Sequence, residues 1–219
     1  MVVLSIITII SAVILTSQGA FNKSLILSNT AYDIALTLRF SETFGLGSRA
    51  AFNSSISNAG YGLHFDKTTP KAFAMFADIS PAAGGAGHTA TDCHPAPTYD
   101  AAGPSALPGD CAYASAEKVK DYAIANNISI YNICARSNDG STSCSVSCAG
   151  GSSCATDLTV LDVVFSRPNP TPYMSKNGAY NQTNPVTSAC IALTSNQGGF
   201  KYVSVGSSGQ ISASAASCP

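Results

Sequence analysis

The sequence predicts an α+β fold in which a long N-terminal α-helix packs on a head built from an antiparallel β-sheet. The first observation is an apolar run at the N-terminus that continues into an amphipathic segment with helical periodicity. The second is a series of short β-branched segments separated by turn residues. The third is a set of eight cysteines, all of which lie beyond the helix. A chain of 219 residues has room for one sizeable domain.

The helix is predicted to run without a break from Met1 to about Phe44. Residues 1–16 contain no charge, proline or glycine. Beyond them, one stripe at helical spacing is assigned to packing against the sheet, and a neighbouring stripe is formed by Tyr32, Leu36 and Phe40. Phe44-Gly45 and Gly47 provide the stop. The residues assigned to helix-to-sheet packing are Leu27, Ala31, Ile34, Ala35 and Leu38.

Two simpler interpretations of residues 1–20 are a cleaved secretory signal and an ordinary transmembrane anchor. No basic residue precedes the apolar core, because the first lysine is Lys23, which argues against a signal peptide. Sixteen apolar residues also fall short of the ~20 that cross a bilayer. Both difficulties ease if the hydrophobic segment begins upstream of Met1.

The low charge of the chain argues against a nucleic-acid partner. The formal net charge is −1 and only 11% of residues are charged, so no basic surface for nucleic acid is expected.

The eight cysteines favour disulfides in a compartment outside the cytoplasm over metal binding. None of them shows CxxC spacing, and sequence alone leaves 105 pairings open. They are Cys93, Cys111, Cys134, Cys144, Cys148, Cys154, Cys190 and Cys218.

The head is predicted to contain five to seven antiparallel strands. Lys118–Ala123 and Ile128–Ile133 are interpreted as a hairpin turning at Asn126-Asn127, with a short helix at Glu117–Ala125 as the alternative. The prolines of Arg167–Pro172 are expected to end a strand. The remaining strand segments are Tyr61–Phe65, Ala72–Ala77, Leu158–Phe165, Ala189–Thr194, Lys201–Val205 and Gln210–Ala213.

The chain thus divides into an apolar half-helix over 1–20, an amphipathic half-helix over 21–47, and a β head over 48–219. Two insertions rich in Gly, Pro or Ser interrupt the head at 80–110 and 136–157. The first is expected to be held down by Cys93 and Cys111. The second, which contains three cysteines, is expected to form a small stapled loop.

Several motifs resemble those of type IV pilin-like proteins. MVVLSIITIISAVIL resembles the end of the prepilin cleavage and methylation segment. ALTLRFSETFGLGSR, YGLHFD, FAMFAD, LDVVFSRPNP and YVSVGSSGQIS resemble the H-type minor pseudopilins of type II secretion. The resemblance covers about half of the chain and does not include the two insertions. The basic leader, cleavage-site glycine and glutamate of the family would lie before Met1.

The resemblance implies a structural subunit of a pilus or pseudopilus filament, with a role in adhesion, motility or protein secretion. It implies location in the cytoplasmic membrane by a single span, with the head outside, and then in an extracellular or periplasmic filament. The implied partners are copies of this chain, other pilins or pseudopilins, and the assembly machinery. The residues assigned to the filament core are Val2, Val3, Leu4, Ile6, Ile7, Ile9, Ile10, Val13, Ile14 and Leu15.

Ser5, Thr8 and Ser11 recur every three residues in the apolar half-helix. Such small residues suit close helix contacts, but their hydroxyls can instead bond carbonyls of their own helix, which is the interpretation favoured here.

The rival functional classes are an anchored enzyme or metal-binding domain and an anchored adhesin that does not polymerise. His88, Asp92 and His94 lie close together in sequence, but no third ordered ligand is apparent. No nucleophile motif of the GxSxG type and no nucleotide-binding loop is present. We therefore expect no catalytic activity, metal or cofactor. Polymerisation through the apolar helix discriminates a filament subunit from an adhesin.

Overall fold

The computed structural model describes residues 2–47, 59–80, 93, 108–147, 155–196 and 198–214, without the side chains of residues 13–21 and 169. A single helix, α1, runs from Val2 to Leu46. Its first half has many β-branched residues, which are weak helix formers in isolation. The last turn contains Gly45, where an added Cβ would lie 2.0 Å from the carbonyl oxygen of Phe165. Glycine thus allows the helix end to touch a strand backbone.

Among the described residues, ten strands follow the helix, with one 3₁₀ turn at Ser115–Glu117. The strands are β1 Gly60–Asp66, β2 Ala72–Asp78, β3 Lys118–Ala123, β4 Ile128–Ser137, β5 Thr142–Cys144, β6 Val160–Ser166, β7 Asn169–Lys176, β8 Val186–Ser195, β9 Phe200–Gly206 and β10 Ile211–Ser214.

The strands form two separate antiparallel sheets of five strands each. The first sheet has the order β3-β2-β1-β6-β7, and the second has the order β10-β9-β8-β4-β5. The predicted fold class is therefore wrong: the chain is mostly β, rather than a long helix on one sheet of five to seven strands. The physical reason is that the chain between β3 and β4 leaves the first sheet and begins a second, which local patterns do not reveal.

The predicted hairpin of β3 and β4 is wrong in its pairing, although both segments are strands. β3 pairs with β2, where Tyr122 lies opposite Phe73. β4 pairs with β8, where Ile133 lies opposite Ile191. The side chains of β3 are largely exposed, whereas Ile128, Ile130 and Ile133 of β4 are buried. An apolar strand gains more from a central position between β8 and β5 than beside an exposed edge strand.

β6 ends at Ser166, just before Arg167–Pro172, as predicted. The prolines nevertheless do not prevent strand pairing, because β7 contains Pro170 and Pro172. β7 is an edge strand of the first sheet, at the opposite side from β3. Proline is tolerated there because an edge strand needs only half of its N–H groups for pairing. The ladder between β6 and β7 is also irregular between Val164 and Ser166, opposite this part of β7.

One core joins the helix to both sheets. Leu27, Ala31, Ile34 and Leu38 of α1 are buried in it, and Ala35 packs against its edge. The inward residues of β1 alternate as Tyr61, Leu63 and Phe65, as expected for a strand with one face on the core. Strands of the second sheet add residues such as Ile191, Leu193, Val203 and Val205. Both sheets are thus fixed relative to the second half of the helix.

Candidate functional site: the exposed half of the helix

The N-terminal part of α1 projects a bare apolar surface. The large side chains between Val2 and Ile10 are 50–71% exposed. None of them belongs to any of the three buried apolar clusters of the described residues. The exposed set, Val2, Val3, Leu4, Ile6, Ile7, Ile9 and Ile10, coincides with the filament-core residues assigned from sequence. The side chains of Val13, Ile14 and Leu15 lie outside the described residues.

The hydroxyl groups in this segment do not interrupt its apolar character. The Ser5 hydroxyl donates to the carbonyl oxygen of Val2 at 2.8 Å. The Thr8 hydroxyl lies 2.9 Å from the carbonyl oxygen of Ser5 and 3.1 Å from that of Leu4. The interpretation that these residues bond back to their own helix is therefore confirmed for Ser5 and Thr8. Such groups can be buried without losing a partner.

The predicted location in the cytoplasmic membrane through a single span is wrong, because the hydropathy of the described helix does not support a membrane span. Within the described residues, no helix has an apolar stretch long enough to cross a membrane. The physical reason is that the apolar run gives way to polar residues such as Ser17, Gln18 and Asn22 before it reaches the ~20 residues that a span requires.

Two disulfides join described cysteines, which confirms disulfide bonding in part. Cys93 pairs with Cys111 across 18 residues, as expected for an insertion held at its end. Cys134 pairs with Cys144, which links neighbouring strands β4 and β5. Cys190 is also disulfide-bonded and packs beside this pair. Cys148, Cys154 and Cys218 lie outside the described residues.

A short segment, residues 108–114, covers the outer face of the first sheet; we call it the strap. Cys111 of the strap packs with Phe76, Val164 and Cys93 in a small apolar cluster. β2 is therefore covered on both faces, and five of the six residues Ala72–Ala77 are buried. The first sheet is thus a middle layer between the core and the strap.

Buried carboxylates hold the backbone of the strap. Asp78 is fully buried and accepts hydrogen bonds from the backbone N–H of Asp110 at 3.1 Å and of Cys111 at 3.0 Å. Burial raises the pKa of Asp78 well above its usual range, and the nearby carboxylate of Glu117 adds to this rise. Gly109 allows the approach, because a Cβ there would lie 2.2 Å from the Asp78 carboxyl carbon.

Glu117 binds both ends of the first insertion. One carboxylate oxygen accepts from the backbone N–H of Ile79 and Ser80, at 3.0 and 2.7 Å, before the insertion. The other accepts from the N–H of Ala114 at 2.9 Å, after it. Burial raises the pKa of Glu117, although these hydrogen bonds oppose the rise. The carboxylate therefore joins the two ends of the insertion at the edge of the first sheet.

A histidine–aspartate pair lies under the strap. His64 Nδ1 is 2.6 Å from an Asp162 carboxylate oxygen, and the Tyr113 ring stacks on the imidazole with centroids 4.1 Å apart. Burial raises the pKa of Asp162, opposed by the hydrogen bond from His64. The second Asp162 oxygen accepts from the Tyr113 N–H at 3.3 Å. The pair thus anchors the strap.

The described residues offer one cluster of potential metal ligands, formed by Asp78, Cys93 and Cys111. Its two sulfur atoms are bonded to each other, so neither is a thiolate that could bind a metal. The predicted alternative at His88, Asp92 and His94 lies outside the described residues.

Sequence reasoning missed the buried carboxylates. The sequence does contain a signal for these buried acids: Asp78 ends the apolar run FAMFA, and Asp162 interrupts LDVVF. An acid within a strand that is otherwise apolar is buried with a partner or lies at an edge.

Comparison with protein-family models, with curated proteins and with solved structures finds no match to this chain. The resemblance to type IV pilin-like proteins therefore rests on the sequence motifs alone.

Proposed function

We propose that this chain is a structural subunit of a helical filament of the type IV pilus or type II secretion pseudopilus kind. Its assembly surface is the described, exposed part of the apolar half-helix, Val2–Ala12. The single observation that carries the proposal is the exposure of seven large aliphatic side chains on a helix that extends from a well-packed head. Large exposed apolar surfaces of this kind are typical of interaction sites.

The free energy gained by burying the exposed apolar side chains favours contact with several neighbours. Full burial of a Val, Leu or Ile side chain contributes about 1.5–3 kcal/mol. The seven side chains are on average a little more than half exposed, so covering them is worth roughly 6–12 kcal/mol. Association of two bodies costs about 4–15 kcal/mol. One partial contact is therefore marginal, and coverage on all sides by several copies is favourable.

The shape of the subunit favours an open assembly. The apolar half-helix extends from one end of α1, and the head packs on the other. Contacts between different surfaces of successive copies do not close on themselves unless the rotation happens to form a ring. Adhesion, motility and protein secretion are the roles that this filament would serve, with the assembly machinery as a further partner.

The test uses the full-length, oxidised protein, purified in mild detergent that is then removed by dialysis. Filaments of the wild-type chain in electron micrographs are the expected result. The double variant Ile6→Asn and Ile10→Asn is expected to remain unassembled, with an unchanged melting temperature of the head. The matched control, Ile6→Leu with Ile10→Leu, keeps the surface apolar and is expected to assemble. A wild-type monomer, a closed dimer, or normal filaments of the Asn variant would each overturn the proposal.

A second candidate is a binding protein that does not polymerise, favoured by an exposed aromatic group on the second sheet. The Tyr131 and Phe200 rings meet edge to face with centroids 5.1 Å apart. The Phe200 and Tyr202 rings are inclined by only 23°, with centroids 6.5 Å apart. Such rings offer stacking surfaces for a neutral ligand such as a sugar. A monomeric wild-type chain whose tyrosine signals shift with oligosaccharide would support this candidate instead.

A further inference from the structure

The strap is held to the first sheet by a continuous run of hydrogen bonds to carboxylates. Five successive backbone N–H groups, those of residues 110–114, each donate to a carboxylate oxygen at 2.9–3.3 Å. None of these five bonds uses a backbone carbonyl oxygen, so the strap relies on acid side chains for its position. The acceptors are Asp78 of β2, Asp162 of β6, Glu117 of the 3₁₀ turn and Asp110 of the strap itself.

These carboxylates lie away from water, and few positive charges balance them. Asp78 and Asp162 are fully buried, and Glu117 is 3% exposed. No lysine or arginine among the described residues forms an ion pair with any of these three acids. Their one basic partner in the described ranges is His64, which lies 2.6 Å from Asp162. Closure of the strap therefore removes several acid groups from water with little compensating positive charge.

The backbone of the strap is strained near its centre. Gly109 and Cys111 both have positive φ angles, of 100° and 62°. A residue with a Cβ avoids the left-handed region because its Cβ approaches the following carbonyl oxygen. Cys111 stays in this conformation only while its surroundings hold it. Its N–H is bound by Asp78 and its sulfur by Cys93, so weaker bonds to the carboxylates would let the strap relax.

The strap covers an apolar cluster on the outer face of the first sheet. Phe76 and Val164 are fully buried in this cluster, and Tyr173 and Tyr180 pack at its side. The large core cluster lies on the other face of the sheet and contains none of these four residues. The strap can therefore move away, and expose the outer cluster, without opening the core.

We propose that the strap is a proton-dependent lid on the outer face of the first sheet, closed at acidic pH and opening as the pH rises while the core stays folded. The lid is a property of the folded subunit and does not depend on the proposed function. Its opening would expose the apolar cluster around Phe76 and Val164. It would also return the carboxylates that bind the strap to water.

The direction of the pH effect follows from linkage. Burial raises the pKa of Asp78, Glu117 and Asp162 in the closed state. A group whose pKa is raised in one state stabilises that state below its ordinary pKa, and the effect is lost as the pH rises through the raised pKa. His64 acts in the same direction, because it carries a positive charge beside Asp162 only when it is protonated. Closure thus takes up protons, and opening releases them.

The other titratable groups that face the strap do not reverse this direction. Burial raises the pKa of Tyr173 and Tyr180, so both stay neutral between about pH 5 and about pH 8. Lys118 lies near Tyr113, but its ammonium group is paired with Asp121 at 2.9 Å. Neither the tyrosines nor this lysine therefore changes charge in the range where the lid opens.

The test is hydrogen–deuterium exchange measured by mass spectrometry, on oxidised full-length protein in mild detergent. Each observed rate is divided into the intrinsic exchange rate at the same pH to give a protection factor. The protection of residues 110–114 is expected to fall by about ten-fold or more between about pH 5 and about pH 8. At pH 8, β8 in the second sheet is expected to remain at least about ten-fold better protected than the strap.

Two outcomes of this measurement would overturn the proposal. A protection of the strap that does not change with pH would show a fixed cover. Exchange of the strap together with β8 would show that the strap opens only when the whole head unfolds.

The variant Asp110→Asn separates the charge of the strap from its hydrogen bonds. The Asp110 carboxylate accepts from the N–H of Ala112 at 3.0 Å, and its charge adds to the effect of burial in raising the pKa of Asp78. Asparagine keeps an oxygen for the N–H group and removes the charge. The lid of this variant is expected to stay closed to higher pH, with at least about three-fold more protection at pH 8 than in the wild type.

The matched control is Asp139→Asn, which makes the same change in the same kind of turn on the second sheet. Asp139 accepts from the N–H of Ser141, two residues further on, at 2.9 Å. Because this turn lies between β4 and β5, the strap of the control is expected to show the pH dependence of the wild type. Equal protection of the strap at pH 8 in Asp110→Asn and the wild type would overturn the proposal, as would an equal gain in the control.

Discussion

The two leucines at positions 36 and 38 provide a matched test of how the helix is used. Leu38 is fully buried between the sheets, and Leu36 is 69% exposed on the opposite side of the same helix. Leu38→Ala removes three carbon atoms from the core and leaves a cavity. Substitutions of this kind cost about 2.7–5.0 kcal/mol, depending on how far the site relaxes. Leu36→Ala is expected to change the free energy of unfolding by less than about 0.5 kcal/mol.

We expect Leu38→Ala to lower the unfolding free energy by about 3 kcal/mol, because Leu38 contacts a core formed by two sheets that cannot both collapse onto the cavity. For a domain of this size that corresponds to a fall in melting temperature of about 6–12 °C. The chain has nine tyrosines and no tryptophan, so near-ultraviolet circular dichroism of tyrosine reports the unfolding of the head. The measurement uses oxidised full-length protein in mild detergent, which keeps it monomeric.

The two variants make the outcome unambiguous. Both carry the same chemical change on the same helix, so differences in helix propensity cancel between them. Equal effects of the two substitutions, or a loss below about 1 kcal/mol for Leu38→Ala, would refute the assignment of the inner face to the core. A large loss from Leu36→Ala would contradict the exposure of Leu36.

Two further predictions concern the strap. Because burial raises the pKa of Asp78 in the folded state, its stabilising effect is complete below the unfolded pKa and is lost as pH rises through the folded pKa. The denaturant concentration at the unfolding midpoint should therefore fall between about pH 4 and about pH 8 in the wild type. It should fall less in Asp78→Asn. Equal pH dependence of this midpoint in the two proteins would contradict the prediction. Replacing Cys93 and Cys111 together by alanine should lower the unfolding free energy by about 3 kcal/mol, the value for a loop of this length. Equal urea midpoints for this variant and the oxidised wild type would show that the bond does not stabilise the head.

The local elements of this protein follow from its sequence because their signals are local. The helical periodicity of Leu27, Ala31, Ile34 and Leu38 predicts the face that packs on the sheets, and these residues are buried. The β-branched run around Val163 predicts a strand, and β6 is present there. The exposed apolar half-helix is equally a property of sequence, since the hydroxyls of Ser5 and Thr8 bond carbonyl oxygens of their own helix.

The missed strands show where local signals fail. β7 contains Pro170 and Pro172, and its assignment depends on a place at the sheet edge, where an N–H group can be missing. β5 has only three residues and is recognisable by its pairing with β4, in which Cys134 lies opposite Cys144. In both cases the neighbouring strand, rather than the segment itself, supplies the reason for the structure.

The sequence by itself determined the two faces of the helix, most of the strand segments and the apolar half-helix, because side-chain periodicity and backbone preference act over a few residues. Only the tertiary structure decided that the strands divide into two sheets, that β3 and β4 separate, and that Asp78 and Glu117 hold the ends of the first insertion. Strand pairing and the burial of a carboxylate depend on partners far away in the chain. Their free energy comes from contacts that exist only once the whole head has folded.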